Sequence, residues 1–163
     1  MPYRPLWPAL CFALAFGAFA SQAQAVLTLD LEPGACAADE TAVTLVVENV
    51  AVGRGMIRAA LYDNDPEHFT KSEAALVQAA APAREGETEL CLPVSQPGTY
   101  AITVFHDQNS NGKLEKNFIG LPTEPWGISN NPPFRLSRPK LAEAAFEVPE
   151  GGTTTRITVD VKR

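Results

Sequence analysis

The sequence predicts an all-β protein, a β-sandwich or small barrel, and three observations lead to this prediction. Runs rich in Val, Ile, Thr and Tyr recur from residue 41 onward. Several of these runs alternate apolar and polar residues, the period that turns one face of a strand toward a core. Gly and Pro separate the runs, which is typical of short strands joined by turns.

Residues 1–25 precede the predicted domain and have the pattern of a signal peptide. Arg4 is followed by the apolar run LWPALCFALAFGAFA and then by SQAQA, where Ala23 and Ala25 fit a cleavage site. We therefore expect an exported protein, periplasmic or secreted, that begins near Val26. The apolar run is short for a bilayer span, so no transmembrane segment is expected after cleavage.

The cysteines of the chain predict a disulfide, and its net charge argues against one class of partner. Cleavage would leave Cys36, in an N-terminal segment 26–40, and Cys91, in a domain predicted at 41–163. Such an even pair in an oxidising compartment is expected to form a disulfide, with two separate buried thiols as the alternative. The net charge is −6 and no basic block is present, so nucleic acid is not an expected partner.

Three hairpins and two helical pieces are predicted, in chain order. The β-rich runs are joined by AVGR, SQPG and the GG pair, and they pair 41–50 with 55–64, 87–94 with 98–107, and 144–150 with 153–162. KSEAALVQAA, residues 71–80, is rich in helix formers. SRPKLAEAA, residues 137–145, has Ser137 as a candidate cap and Pro139 in the first turn.

The connection 119–139 has five prolines and two glycines, so it is neither a central strand nor a regular helix. A connection of this length is usually functional or disordered. Its Trp126 and Phe134 argue against disorder, because in a disordered segment these large apolar side chains would remain exposed to water.

The loop after residue 106 has the spacing of a calcium-binding loop. Counted from Asp107, oxygen donors fall at positions 1, 3, 5 and 9, a glycine at 6 and a backbone carbonyl ligand at 7. These donors are Asp107, Asn109, Asn111, the carbonyl of Lys113, and Glu115. Position 12 is Phe118 where a bidentate Glu belongs, so we expect either weak calcium binding, on the order of 0.1 to 1 mM, or a turn whose side chains bond their own backbone.

One long motif is similar to a known family. The run GTYAITVFHDQNSNGKLEKNFIGLPTEPWGISNN, followed by KLAEAAFEV and a final strand, closely resembles the bacterial domain of unknown function 2141. The matching positions are Gly98, Tyr100, Ala101, His106, Asp107, Asn109, Asn111, Gly112, Leu114, Asn117, Gly120, Pro122, Glu124, Gly127, Ser129 and Asn130. Glu115 replaces the Asp that is more usual there. The resemblance implies an exported β-sandwich of immunoglobulin-like or transthyretin-like type, and it implies no reaction. Together with the runs above, it predicts a single antiparallel sandwich with about seven strands and one or two short helical turns.

Aromatic and polar side chains around the same loop form a candidate ligand-binding surface. Aromatic platforms beside amides suit saccharides or extended peptides. The candidate residues are His106, Glu124, Trp126, Ser129, Asn130, Asn131 and Phe134. In the alternative interpretation the aromatics close the end of the sandwich and the asparagines satisfy backbone carbonyls.

We expect a non-enzymatic exported protein with a structural or ligand-binding role, no certain cofactor and calcium as a candidate. One alternative is a periplasmic hydrolase or metal enzyme that uses His106, Asp107 and Ser129. With His68 the only other histidine, a three-histidine zinc site is excluded. Another alternative is an accessory module of an envelope complex, which would bind a protein partner through a sheet edge.

Overall fold

The structure is a computed structural model that describes residues 26–37 and 40–160, so the predicted signal peptide lies outside the described residues. It has nine strands, a 3₁₀ turn at Ser72–Ala74 and a short helix α1 at Leu141–Ala144. The strands are β1 Leu27–Asp30, β2 Ala42–Val50, β3 Met56–Tyr62, β4 Val77–Pro82, β5 Gly86–Pro93, β6 Gly98–Asp107, β7 Trp126–Ile128, β8 Phe146–Val148 and β9 Thr153–Thr158. Within this part of the chain, no helix has the length and apolar character to cross a membrane.

The strands form two sheets. The larger has the order β1-β4-β3-β6-β7, with β8 paired to the beginning of β6, and the smaller has the order β5-β2-β9. The all-β prediction is therefore confirmed. The expectation of purely antiparallel pairing is wrong in two places, because β1 runs parallel to β4 and β2 runs parallel to β9. The expected count of about seven strands is also low, because β1, β4 and the three-residue β7 were not among the runs predicted as strands.

The main core lies between the sheets, and a second, smaller cluster includes Tyr62 of β3, Ala101 of β6 and Leu141 of α1. Leu45 and Ile157 of the smaller sheet pack in one cluster with Leu61 and Ile102 of the larger sheet, and all four are 0% exposed. Burying side chains of this size contributes roughly 1.5–3 kcal/mol each. Because alternate residues of each strand enter this core, the remaining residues of β3 and β6 are directed to the outer face of the larger sheet.

The predicted hairpins are wrong, because each turn carries the chain from one sheet to the other. β2 and β3 belong to different sheets, as do β5 and β6, and β8 and β9. Apolar alternation reports that one face of a strand is buried, and it does not identify the neighbouring strand. The turns were correctly located, but they connect the two layers.

The helical predictions were only partly correct. Residues 71–80 hold just the 3₁₀ turn and most of β4, because Val77, Ala79 and Ala81 alternate into the core and tertiary packing overrides the helix preference of alanine. The second helix is present but short. It begins after Lys140 without a side-chain cap, so Ser137 is not its cap and Pro139 lies before its first turn.

Both lateral openings between the sheets are closed. On one side, β1 pairs with β4 of the larger sheet, and Cys36 then forms a disulfide with Cys91 of the smaller sheet, with Cα atoms 4.8 Å apart. The disulfide prediction is confirmed. On the other side, the N–H of Trp126 donates to the carbonyl of Asp160 at 3.0 Å. Gly127 permits this approach, since a Cβ there would lie 2.6 Å from the Thr158 oxygen.

Candidate functional site: a loop network and a basic groove

The loop that follows β6 is organised around Asp107, whose side chain is 0% exposed. Its Oδ1 accepts the Asn111 N–H at 3.0 Å, and its Oδ2 accepts the Gly112 N–H at 2.8 Å and Nε of Arg58 at 2.6 Å. Burial raises the pKa of Asp107, but the Arg58 guanidinium and the two N–H groups outweigh it, so the pKa lies below its ordinary value. Asp107 is therefore a buried anion paired with Arg58.

The remaining predicted ligands complete a self-contained turn. Oδ1 of Asn109 accepts the Asn111 N–H at 3.1 Å, and Oδ1 of Asn111 accepts the Lys113 N–H at 2.8 Å. The side-chain amides of both asparagines donate to Oε1 of Glu115, each at 2.9 Å. These side chains meet at one point, and the loop bonds its own backbone as the turn interpretation predicts.

Glu124 holds the two ends of the loop together. Its carboxylate accepts the N–H of Gln108 at 3.0 Å through Oε1 and the N–H of Glu115 at 3.2 Å through Oε2. Glu124 is only 5% exposed, although it lies in the proline-rich connection. Its role is to fix the loop against β7.

The donor set of the loop only partly fits calcium. Oxygen ligands at alternate positions suit Ca²⁺, and Asp107, Asn109, Asn111 and Glu115 supply them. The amide oxygens already accept turn hydrogen bonds, and Arg58 already balances Asp107. Across residues 26–37 and 40–160, no three His, Cys, Asp or Glu side chains are grouped as a metal site.

Two residues of the hydrolase alternative, His106 and Ser129, bond to backbone carbonyls, and the third, Asp107, is paired with Arg58. Nε2 of His106, which is fully buried, contacts the carbonyl of Arg54 at 2.7 Å. The Ser129 hydroxyl donates to the carbonyl of Ala144 and accepts the N–H of Ile102 at 3.0 Å. His68 follows the far end of β3, so it lies at the opposite end of the sheet from His106 and bonds Asp63 instead.

The asparagines predicted to bind ligand also hold backbone groups. Asn130 donates to the carbonyl of Ala145 at 2.7 Å. The amide of Asn131 donates to the carbonyl of Arg156 at 3.0 Å and accepts the Thr158 N–H at 2.8 Å, so it acts as a short extra strand beside β9. These amides have the structural role that the alternative interpretation assigned to them.

A groove of about 850 Å³ lies on the outer face of the larger sheet. Its floor consists of two rows of five side chains, and each row takes one aligned residue from each of β1, β4, β3, β6 and β7. The rows are Asp30, Ala80, Arg58, Phe105 and Trp126, then Thr28, Gln78, Ala60, Thr103 and Ile128. Trp126 packs edge-on against Phe134 at 6.4 Å between ring centroids, at one end of the groove. The predicted aromatic pair is thus part of this surface.

Two segments, 112–122 and 134–139, line the sides of the groove and supply most of its charge. The basic lining residues are Arg58, Lys113, Lys116, Arg135 and Arg138, and among the described residues that line the groove Asp30 alone is acidic. Arg58 pairs with Asp107 and Arg135 with Glu143 at 3.0 Å, whereas the other three make no ion pair within the described residues. The groove is basic in a chain of net charge −6.

Sequence reasoning missed the groove and the role of Arg58. The one available signal was Arg58 itself, a charged residue inside the β-rich run 55–64. Its neighbours Phe105 and Trp126 are distant in sequence, so only the strand order brings the three together.

Comparison with known proteins identifies the family to which the chain belongs. No curated protein and no solved structure matches the chain significantly. The model of the family described as "Uncharacterized protein conserved in bacteria (DUF2141)" matches residues 45–157, which include β3 to β8, the Asp107 loop and the groove apart from its β1 residues. The chain therefore belongs to the DUF2141 family.

Proposed function

We propose that this protein is an exported, non-enzymatic binding protein, an immunoglobulin-like or transthyretin-like sandwich that holds a small ligand in the groove of its larger sheet. Export is supported by the signal-peptide pattern of residues 1–25. The observation that carries the binding role is the groove itself. At about 850 Å³ it has the size of ligand sites in other proteins, and its surface is more apolar than polar.

The hydrogen-bond pattern around the groove supports binding over catalysis. His106, Ser129 and Asp107 of the enzymatic alternative are each 0% exposed and already bonded to the protein. A general base needs access to the proton it removes, which these contacts do not provide. Ile119 and Leu136, in contrast, line the groove and are 63% and 82% exposed. Exposed apolar side chains beside a groove are typical of ligand sites.

Binding of an uncharged apolar dye tests this proposal. N-phenyl-1-naphthylamine is titrated into a chain of residues 26–163, which contains every strand of the described structure. We expect its fluorescence to rise, and Ala60→Phe, which fills the centre of the floor, to abolish the rise. The matched control is Thr154→Phe, at an exposed position on the smaller sheet. Gln78→Phe, beside Ala60 in the same row, replaces Ala60→Phe if circular dichroism shows that variant unfolded. Equal dye binding by wild type and every folded floor variant would contradict the proposal.

Weak calcium binding by the loop is a second proposal, supported by the convergence of Asn109, Asn111 and Glu115 on one point. Binding would require both amides to turn their oxygens toward the ion and lose their turn hydrogen bonds, so we expect an affinity of about 0.1 to 1 mM. The melting temperature in 5 mM CaCl₂ should then be a few degrees higher than the melting temperature in EDTA. The increase should be absent with Mg²⁺ and in Asp107→Asn with Glu115→Gln. Identical melting temperatures in calcium and EDTA would leave the loop as a turn only.

A further inference from the structure

We propose that the ligand of this groove is a fatty acid, a single apolar chain that ends in a carboxylate. This inference rests on the proposed function, because it names the ligand class of the same groove. Three properties of the groove carry it: the sign of its charge, the apolar half of its floor with the small Ala60 and Ala80, and the exposed apolar side chains beside the floor.

The charge of the groove selects for an anion. Lys113 and Lys116 on one lining segment and Arg138 on the other have no acidic partner among the described residues. The potential of unpaired surface charges extends about 10 Å at 0.1 M salt. A net-negative protein that concentrates unmatched cations beside a groove attracts anions there and repels them elsewhere.

Five of the ten floor residues are apolar and offer a surface to an apolar chain. Ala60 lies at the centre of one row and Ala80 beside Arg58 in the other, and both side chains are small, so they leave room above the sheet for a chain. Phe105 and Trp126 extend one row as an aromatic surface. A chain lying over these residues would also cover Ile119 and Leu136 and remove apolar area from water.

Two other ligand classes fit less well. A saccharide is bound through hydrogen bonds, but the nearby amides of Asn130 and Asn131 are already bonded to backbone groups of the protein. A small anion such as phosphate would need several converging donors. Arg58 and Arg135 are each occupied by a carboxylate, so the remaining cations provide attraction without a closed site.

The ligand class is tested by intrinsic fluorescence. The sequence has two tryptophans, Trp7 and Trp126, so a chain of residues 26–163 reports on the groove through Trp126 alone. Dodecanoate, uncharged dodecyl maltoside and inorganic phosphate are compared, all below micellar concentrations. We expect dodecanoate to bind at least about tenfold more tightly than the maltoside, with the advantage lost in 1 M NaCl, and phosphate to leave the spectrum unchanged.

A charge-reversed pair identifies the cations responsible. Lys113→Glu with Lys116→Glu should weaken dodecanoate binding by about tenfold or more and leave binding of the uncharged dye unchanged. Arg54→Glu with Arg84→Glu is the control, because it changes net charge equally at exposed positions outside the groove.

The outcomes separate the two proposals. If dodecanoate binds no better than the maltoside, or if both charge-reversed pairs behave alike, the fatty-acid inference is overturned while dye binding still supports a groove ligand. If the dye does not bind the wild type at all, the proposed function itself fails.

Discussion

The outer faces of the two sheets differ in how their charges are matched. On the smaller sheet, Arg156 donates to Glu48 at 2.8 Å and contacts Glu87 at 3.3 Å, so the cation of β9 is paired with carboxylates of β2 and β5. On the larger sheet, Lys113 and Lys116 line a groove without such partners. Cross-strand pairs of opposite charge stabilise a solvated sheet. The cation of the smaller face is thus paired within the protein, whereas the larger face has the unpaired cations on which the proposed anionic ligand depends.

The largest effect should come from separating the sheets that carry these faces. Replacing Cys36 and Cys91 with Ser removes a cross-link that spans 55 residues and ties the N-terminal segment of the larger sheet to β5. We expect the free energy of unfolding to fall by about 4 kcal/mol on the chain-entropy model. Urea denaturation of the oxidised wild type and the double variant measures it. Equal midpoints would show that the disulfide contributes nothing to joining the sheets.

The next effect concerns the loop beside the groove. Asp107→Ala removes the acceptor of three hydrogen bonds and leaves Arg58, one-third exposed, without its partner. We expect a loss of about 3 kcal/mol in the free energy of unfolding. Asn109→Ala in the same loop is the control, with a loss of less than about 1 kcal/mol, because its side chain is exposed. Similar losses in the two variants would refute a central role for Asp107.

The pH dependence of stability should distinguish the buried pair from the surface pairs. The pKa of Asp107 is depressed below its ordinary value of 3.8, so its stabilisation is complete above that pH and is lost as pH falls through the folded-state pKa. The stability difference between wild type and Asp107→Asn should therefore be constant at neutral pH and shrink below pH 3.8. Denaturation at several pH values measures it, and a difference independent of pH down to 2 would contradict this account.

The smallest effect is expected on the smaller sheet. Arg156→Gln removes two contacts of an exposed guanidinium, which water and salt already screen. We expect a slight decrease in melting temperature at low salt and none in 1 M NaCl, as measured by differential scanning calorimetry. A large, salt-independent decrease would show that this face depends on its ion pairs more than its exposure indicates.

The sequence predicted the turn within the Asp107 loop because the contacts that form this turn are local. Asp107 bonds Asn111 and Gly112, and Asn109 bonds Asn111, all within a few residues. Side-chain spacing and turn chemistry describe such contacts directly. The export signal and the disulfide were expected on similarly local or compositional grounds, and the structure confirms the disulfide.

Contacts between distant residues were not predictable in this way. Arg58, Phe105 and Trp126 become neighbours only because β6 lies between β3 and β7, and no turn in the sequence specifies that order. The three predicted hairpins were wrong for the same reason, because a turn does not specify which strands pair. The helix predicted at 71–80 was wrong for a different reason: alanine favours helices intrinsically, but the alanines of β4 are held between β1 and β3, where tertiary packing overrides that preference.

The bridge between Trp126 and Asp160 has a consequence for solubility. A sheet edge with unpaired N–H and carbonyl groups is a template for association with other chains. Here β7 and the end of β9 turn toward each other, and the Asn131 amide occupies the groups of Arg156 and Thr158 just before the bridge. One pair of contacts thereby protects an edge of each sheet from aggregation, even though the groove beside it remains apolar and open.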